Sequence, residues 1–249
     1  MPAVQDKTIA LGHPSYVWLS GQDRRLHLVL KYVPLQGRKV LDVGCGLGMY
    51  MNQFRRFTPE VYGVDIDAEK VDVASKSLPN VYVSPAEALP FDDGKFDVVF
   101  LHEVIEHVDD DRKAIQEAYR VLGNGGSLVI YAPNRLYFFE THGFYLGKRY
   151  VFKLLPFVNY LPNFMRRFFV PHVRAYLGGD LKKLFEGLAI ETVVHTYVYP
   201  GFDAIAMKSP WLAKVLRRVL YFAENTPIRV FGLSHFLVVK KTMRSDGDS

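Results

Sequence analysis

The sequence has a single cysteine among its 249 residues, so no disulfide can close within the chain and a reducing compartment is the default expectation. It also lacks any uninterrupted apolar run near the roughly 18 residues needed to cross a bilayer. Asp6 and Lys7 interrupt what would otherwise be an apolar leader. These absences predict a cytoplasmic chain with no transmembrane segment. No internal repeat or low-complexity segment is present, and no RNA-binding motif accompanies the net charge of +5, which argues against a specific nucleic-acid partner. The composition, 49% apolar and 23% charged, is that of a globular protein long enough for one large α/β domain, residues 1–249.

One stretch organises the rest: Val40-Leu41-Asp42-Val43-Gly44-Cys45-Gly46-Leu47-Gly48. It reads as a short buried parallel strand running into a turn with three alternating glycines, followed by a helix over 49–57. Glycine belongs where the backbone takes positive φ or a ligand comes closer than a Cβ allows. A dinucleotide fingerprint would put its third glycine at the position of Met49, so NAD fits poorly.

Strand and helix then alternate. Val61–Asp67 reads as a second strand ending in acid, with Asp65 lying 21 residues beyond Gly44, about where a carboxylate can accept both hydroxyls of a ribose. Asp67 precedes Ala68-Glu69-Lys70 as a helix N-cap. Short strands follow at 81–83 and 96–101, the latter delivering His102-Glu103-Val104-Ile105-Glu106-His107. If 102–107 opens a helix, residues 102, 103, 106 and 107 share one side of it. A helix from 109–111 to Leu122 ends at Gly123, Gly125 and Gly126, and a fifth strand covers 127–132. A lead-in helix is expected over 13–32, a loose arm before it and a polar tail at 245–249.

The glycine turn closely resembles the first motif of the class I S-adenosylmethionine-dependent methyltransferases. Two further segments resemble the same family in order and spacing: Ala86-Glu87-Ala88-Leu89-Pro90-Phe91, which in the family brackets the adenine, and Arg120-Val121-Leu122 with Gly125-Gly126. Pro85 departs from the pattern, standing where many relatives carry an adenine-binding aspartate. The resemblance implies a doubly wound, seven-stranded, mostly parallel Rossmann-like α/β sheet whose last strand, 235–240, is antiparallel and lies between strand five and strand six, 190–199. It implies S-adenosylmethionine as cofactor, held by Asp42, Gly44, Cys45, Gly46, Gly48, Asp65, Ile66, Ala86, Glu87 and His102. Tyr16 is a further candidate to close over the cofactor.

Residues 13–134 would form the cofactor-binding core, and 135–176 and 200–234 would be acceptor-side cap insertions. The first insertion is aromatic and basic: residues 134–176 hold 13 of the 35 aromatic residues and seven Lys and Arg against the single Glu140, a net charge of +6. Residues 210–222 read as an amphipathic helix. Such a half suits a small-molecule, lipid-linked or glycan acceptor, and its apolar surface edged with Lys and Arg fits a peripheral contact with an anionic membrane.

A hydroxyl acceptor must lose a proton, and a near-neutral histidine is the natural base. His107 and His102 are the catalytic candidates, with His142 and His172 outside them. Glu103-Val104-Ile105-Glu106-His107 also resembles the Glu-x-x-Glu-His of two metal-dependent branches, the ubiquinone-pathway O-methyltransferases and the small-RNA 2′-O-methyltransferases. Glu103, Glu106 and His107 would there hold a divalent ion such as Mg²⁺; a solvated, salt-bridging face is the alternative. The reading is O-methyl transfer to a small or lipid-like acceptor. A non-catalytic scaffold of the same fold, favoured by Pro85, and an NAD-dependent oxidoreductase are the alternatives.

Overall fold

The computed structural model describes residues 19–242, so Tyr16, the expected arm and the expected tail lie outside the described residues. The described part opens with α1 (Ser20–Tyr32), whose start is held by the Gln22 side chain accepting from the Leu19 amide. Strands β1 (Val40–Val43), β2 (Val61–Asp65), β3 (Val81–Val83), β4 (Phe96–His102) and β5 (Leu122–Pro133) follow. Helices α2 (Met49–Phe54), α3 (Ala68–Ser75) and α4 (Asp111–Val121) alternate with them, and β10 (Ile190–Val198) and β11 (Ser234–Lys241) complete the main sheet. Its order is β10-β11-β5-β4-β1-β2-β3. β11 runs antiparallel to both of its neighbours, as the sequence predicts, while the inner pairs are parallel.

The strand period of two explains the two cores. Leu41, Val99, Leu101, Leu128 and Ile130 face one side and pack with Ile115, Ala118 and Val121 of α4. Val40, Val98, Phe100, Val129 and Tyr131 face the other, against Leu26 and Val29 of α1 and Met51 and Phe54 of α2. Both faces of the sheet are thus covered, which is why these strands are nearly continuous apolar runs. Asp67 caps α3 by accepting from the amides of Glu69 and Lys70, and Asp110 caps α4 through Lys113.

Residues 135–176 form a separate small lobe. β6 (Phe139–Glu140) pairs with β9 (Leu155–Pro156), and β7 (Phe144–Leu146) with β8 (Arg149–Val151). With α5 (Asn163–Phe169) these strands enclose a minor core of Phe144, Val158, Val170 and Val173. α6 (Gly178–Lys183) returns the chain to the sheet, and α7 (Asp203–Lys208) with α8 (Pro210–Ala223) fill the connection between β10 and β11.

One expectation is corrected, and the first part of another, residues 13–18 of the lead-in helix, lies outside the described residues. Residues 103–109 form no helix: β4 carries on to His102, and Glu103 takes a left-handed φ of 55°, which turns the chain sharply and removes the shared helical face expected for 102, 103, 106 and 107. The lead-in helix, expected from 13, is described only from Ser20.

Candidate active site

The carboxyl ends of β1, β2 and β4 meet at one edge of the sheet, the position at which open α/β sheets bind ligands. Gly44, Gly46 and Gly48 all take positive φ, 72°, 54° and 77°. A Cβ on Gly44 would stand 2.5 Å from Val104 Cγ2, whereas one on Gly46 would project into open space. Close packing therefore demands glycine beneath the turn, and glycine above it leaves room for a ligand. Asp65 Oδ2 accepts from the Gly46 amide at 2.7 Å and Oδ1 from the Asp67 amide at 2.9 Å. The carboxylate fastens the turn to β2, and each oxygen keeps another lone pair for a ribose hydroxyl. Beside it Ile66 is 74% exposed and Val83, paired in register with Asp65, is 55% exposed, an apolar lip fit for a flat ring.

Asp42 lies buried beneath the turn, and burial together with the Asp65 charge raises its carboxyl well above the usual range. Among the described residues neither Asp42 nor Asp65 forms an ion pair. Two uncompensated carboxylates favour a ligand that brings positive charge and disfavour the pyrophosphate of a dinucleotide. Cys45 contributes backbone only: its amide donates to Val64 O, and burial pushes its thiol well up, so it is no nucleophile. Ala86 is buried, and the Glu87 carboxylate accepts from the amides of Asp109 and Asp110, bracing the loop after β4.

That loop carries two distinct side-chain groups. In the first, Arg25 Nη1 meets His102 Nε2 at 2.7 Å and donates to Glu103 Oε1 at 2.8 Å, while its Nη2 donates to Ser234 Oγ at 2.9 Å. Ser234 in turn donates to Glu103 at 2.6 Å. Burial alone would raise the Glu103 carboxyl, but the Arg25 guanidinium outweighs it and holds it at about 2. Burial and the same guanidinium drop the His102 imidazole to about 3, so its Nε2 is a neutral acceptor for Arg25. Its ring lies among Tyr50, Phe100 and Tyr131.

The second group faces the small lobe. Glu106 is 1% exposed, neither of its oxygens accepts a hydrogen bond among the described residues, and burial with the nearby Glu103 charge raises its carboxyl well above the usual range. A carboxyl so placed holds a proton or a cation. The rings of His107 and His142 lie 5.5 Å apart, and one ligand atom from each of Glu106, His107 and His142 falls within 4.8 Å of the others. Burial, then the neighbouring His142, lowers the His107 imidazole to about 4. His142 Nδ1 donates to Glu140 Oε1 at 2.8 Å, and Glu140 Oε2 accepts from buried Arg166 at 2.8 Å. Burial works against the Glu140 charge, yet the His142 and Arg166 contacts hold it at about 2. With Nδ1 held by Glu140, Nε2 is the His142 atom left to accept a proton or a ligand.

A protein-family model described as a methyltransferase domain matches residues 41–130. The chain is 32% identical over 152 residues to the ubiquinone biosynthesis O-methyltransferase of Coxiella burnetii, covering 55% of this chain and 64% of that one. It is 36% identical over 128 residues to the uncharacterized methyltransferase YcgJ of Bacillus subtilis, covering 47% of this chain and 50% of that one. The chain thus spans less than two thirds of the length of these curated relatives. Among solved structures, an S-adenosylmethionine-dependent methyltransferase from Mesorhizobium loti superposes with a TM-score of 0.63 at 16% identity, over 89% of this chain and 98% of that one. That likeness concerns the fold. Over residues 41–130 the chain carries a methyltransferase domain.

In this methyltransferase domain the expected cofactor residues Asp42, Gly44, Cys45, Gly46, Gly48, Asp65 and Ile66 gather around one turn. His102 is drawn into the Arg25 group, and Glu103 joins it there instead of standing beside Glu106 and His107 on one helical face. Of the metal candidates expected from sequence, Glu106 and His107 cluster with His142, and Glu103 does not join them. Sequence reasoning missed Arg25, Ser234, Glu140 and Arg166. A signal existed for one of them: Glu140 is the single acid in an insertion with seven cations and stands two residues before a histidine. Arg25 and Ser234, 209 residues apart, left no local signal.

Proposed function

We propose that the chain transfers a methyl group from S-adenosylmethionine to a hydroxyl oxygen of a small or lipid-linked acceptor. The observation that carries this reading is the pair Asp42 and Asp65, two carboxylates without a cationic partner among the described residues, set under a glycine turn with open space above it. S-adenosylmethionine brings a sulfonium, an ammonium and a ribose, and when bound it supplies an activated methyl whose leaving group needs no acid.

The chain's own residues do the remaining work. Asp65 is available to both ribose hydroxyls while fastening the turn. His142, oriented by Glu140, is placed to accept a proton from an acceptor hydroxyl at Nε2, and the His107 ring, lowered to about 4, lies beside it. Arg166 keeps Glu140 ionised, so the imidazolium formed on proton uptake is stabilised. The lobe of residues 135–176 flanks this side, with the His107 ring still open to solvent.

A second reading rests on the clustering of three donor atoms. Glu106, His107 and His142 would hold a divalent cation that polarises the acceptor hydroxyl. One carboxylate with two imidazoles suits Mn²⁺ or Zn²⁺ better than the Mg²⁺ expected from sequence.

The test is calorimetric titration with S-adenosylhomocysteine, with and without Mn²⁺, on the wild-type chain and Asp65→Ala, followed by assays against quinol, glycolipid and sugar hydroxyls. Micromolar binding lost in the variant is the expected result, and a heat of Mn²⁺ binding abolished in His142→Gln supports the metal reading. A wild-type chain that binds no S-adenosylhomocysteine would return the case to a non-catalytic scaffold.

A further inference from the structure

α8 leaves part of its apolar surface uncovered. Ala213 and Ala223 are buried, Leu216, Leu220 and Tyr221 are half-buried, and Arg217 bonds to Gly201 O, Ser20 and Asp203. Its apolar stripe faces outward, Trp211 at 74% exposure, Val215, Val219 and Phe222 at 72%, spaced four, four and three residues apart along one helical face. Sequence periodicity predicts an amphipathic helix here, and the structure half-buries Leu216 and Leu220 of its apolar side while leaving the Trp211, Val215, Val219 and Phe222 stripe exposed. Met207 and Ile228 extend the exposed surface at the helix ends.

The charges around the stripe are of one sign. Residues 202–234 contain five Lys and Arg and two acids. Both acids are already paired, Asp203 with Arg217 and Glu224 with Arg24. Lys208, Lys214, Arg218 and Arg229 are exposed and form no ion pair among the described residues. The connection that carries α8 leaves β10 at Val198 and enters β11 at Ser234, at the same end of the sheet as the Arg25, Glu103 and Ser234 group.

We propose that the outer face of α8 docks the protein on an anionic lipid bilayer, with Trp211, Val215, Val219 and Phe222 in the interface and Lys214 and Arg218 at the phosphate level. An exposed apolar stripe flanked by unpaired cations is the pattern that combines area burial with attraction to anionic headgroups. A second copy of the chain is a poorer occupant, because a twofold contact would bring the same Lys and Arg together. The connection that carries α8 ends at Ser234, whose hydroxyl donates to Glu103 in the loop after β4, so docking would bring a bilayer-embedded acceptor to the same end of the sheet as the site. The docking itself does not depend on the reaction assigned above.

Trp18→Phe leaves Trp211 as the single tryptophan of the full chain, a direct reporter of the stripe. With vesicles of phosphatidylcholine and phosphatidylglycerol its emission should shift to the blue and the protein should float. With pure phosphatidylcholine, or at high salt, both effects should weaken. Val219→Ser with Phe222→Ser, and separately Lys214→Glu with Arg218→Glu, should each reduce vesicle affinity about tenfold or more while S-adenosylhomocysteine binding and the melting curve stay unchanged. No shift with either vesicle, equal binding to both, or full vesicle binding by both folded variants would overturn the proposal. So would a blue shift that rises with protein concentration in the absence of lipid, which would assign the face to a second copy.

Discussion

The cofactor edge of the sheet and the small lobe of residues 135–176 are built on different principles. At the cofactor edge the chemistry sits within a few residues of strand ends, and backbone groups do much of the holding, as where Asp65 grips the Gly46 amide. In the lobe the chemistry is made by side chains reaching across the sequence, Arg166 to Glu140 over 26 residues and His142 to His107 across the lobe boundary. One region is a scaffold that presents a turn, and the other is an arrangement that exists only once the lobe has packed. Damage should therefore stay local in the lobe and spread in the core.

The largest expected effect is on turnover. His142→Gln should lower the rate of methyl transfer about 10²- to 10⁴-fold while leaving S-adenosylhomocysteine affinity within about twofold, because general-base contributions are of that size. A variant that loses cofactor affinity as well would show that lobe and cofactor edge are not separable. Phe100→Ala, at a fully buried position of β4, should cost about 3–5 kcal/mol of global stability in urea unfolding. Arg166→Met should cost a similar amount, leaving Glu140 Oε2 buried without its guanidinium, but only inside the lobe. Hydrogen exchange should then rise across 139–173 with the core amides unchanged, and uniform loss of protection would erase the distinction.

The comparison has an electrostatic side as well. Asp42→Asn should weaken S-adenosylmethionine binding about tenfold, the size of one charge-assisted contact. Because the Asp42 carboxyl is raised in the free protein and a cationic ligand favours its ionised form, binding should release a proton in mildly acidic buffer. Calorimetry in buffers of different ionisation heat reads that proton directly, and its absence from the wild-type chain would count against an Asp42 contact.

The smallest effect concerns the far side of the sheet. His195 Nε2 and His235 Nδ1 lie 3.0 Å apart, and His235 Nε2 donates to Tyr176 O. Burial and then the nearby His235, Lys182 and Arg229 lower His195 to about 4, and burial lowers His235 against the opposing pull of the Tyr176 carbonyl, Glu103 and Asp180. Histidines depressed in the folded state stabilise it fully above their unfolded value near 6.5, and that stability is lost as pH falls from there toward about 4. The loss should be about 1 kcal/mol after screening of the partly open His195 ring, visible in melting curves and flattened in His235→Asn.

Much of the cofactor edge was legible because its determinants are local. A glycine that must take positive φ, a carboxylate at a strand tip and an alternation of period two are all written within a few residues of one another. The loop after β4 was not legible in the same way. His102 to His107 reads as helix by spacing, and only the left-handed turn at Glu103, held by Arg25 and Ser234, sends Glu103 to one group and Glu106 with His107 to another. The amphipathic pattern of α8 was plain, but periodicity reports only that one side is apolar and not which side meets the protein.

The sequence by itself determined the alternation of strand and helix and the glycine turn, since these follow from local backbone sterics and apolar period, while the strand order was implied by the resemblance to the class I methyltransferases. Tertiary packing alone decided which histidine keeps a free lone pair, which carboxylate stays without a partner, and that the apolar stripe of α8 faces outward. Those outcomes depend on charges and hydrogen bonds between residues distant in the chain, whose strengths are set by burial that only the folded molecule defines.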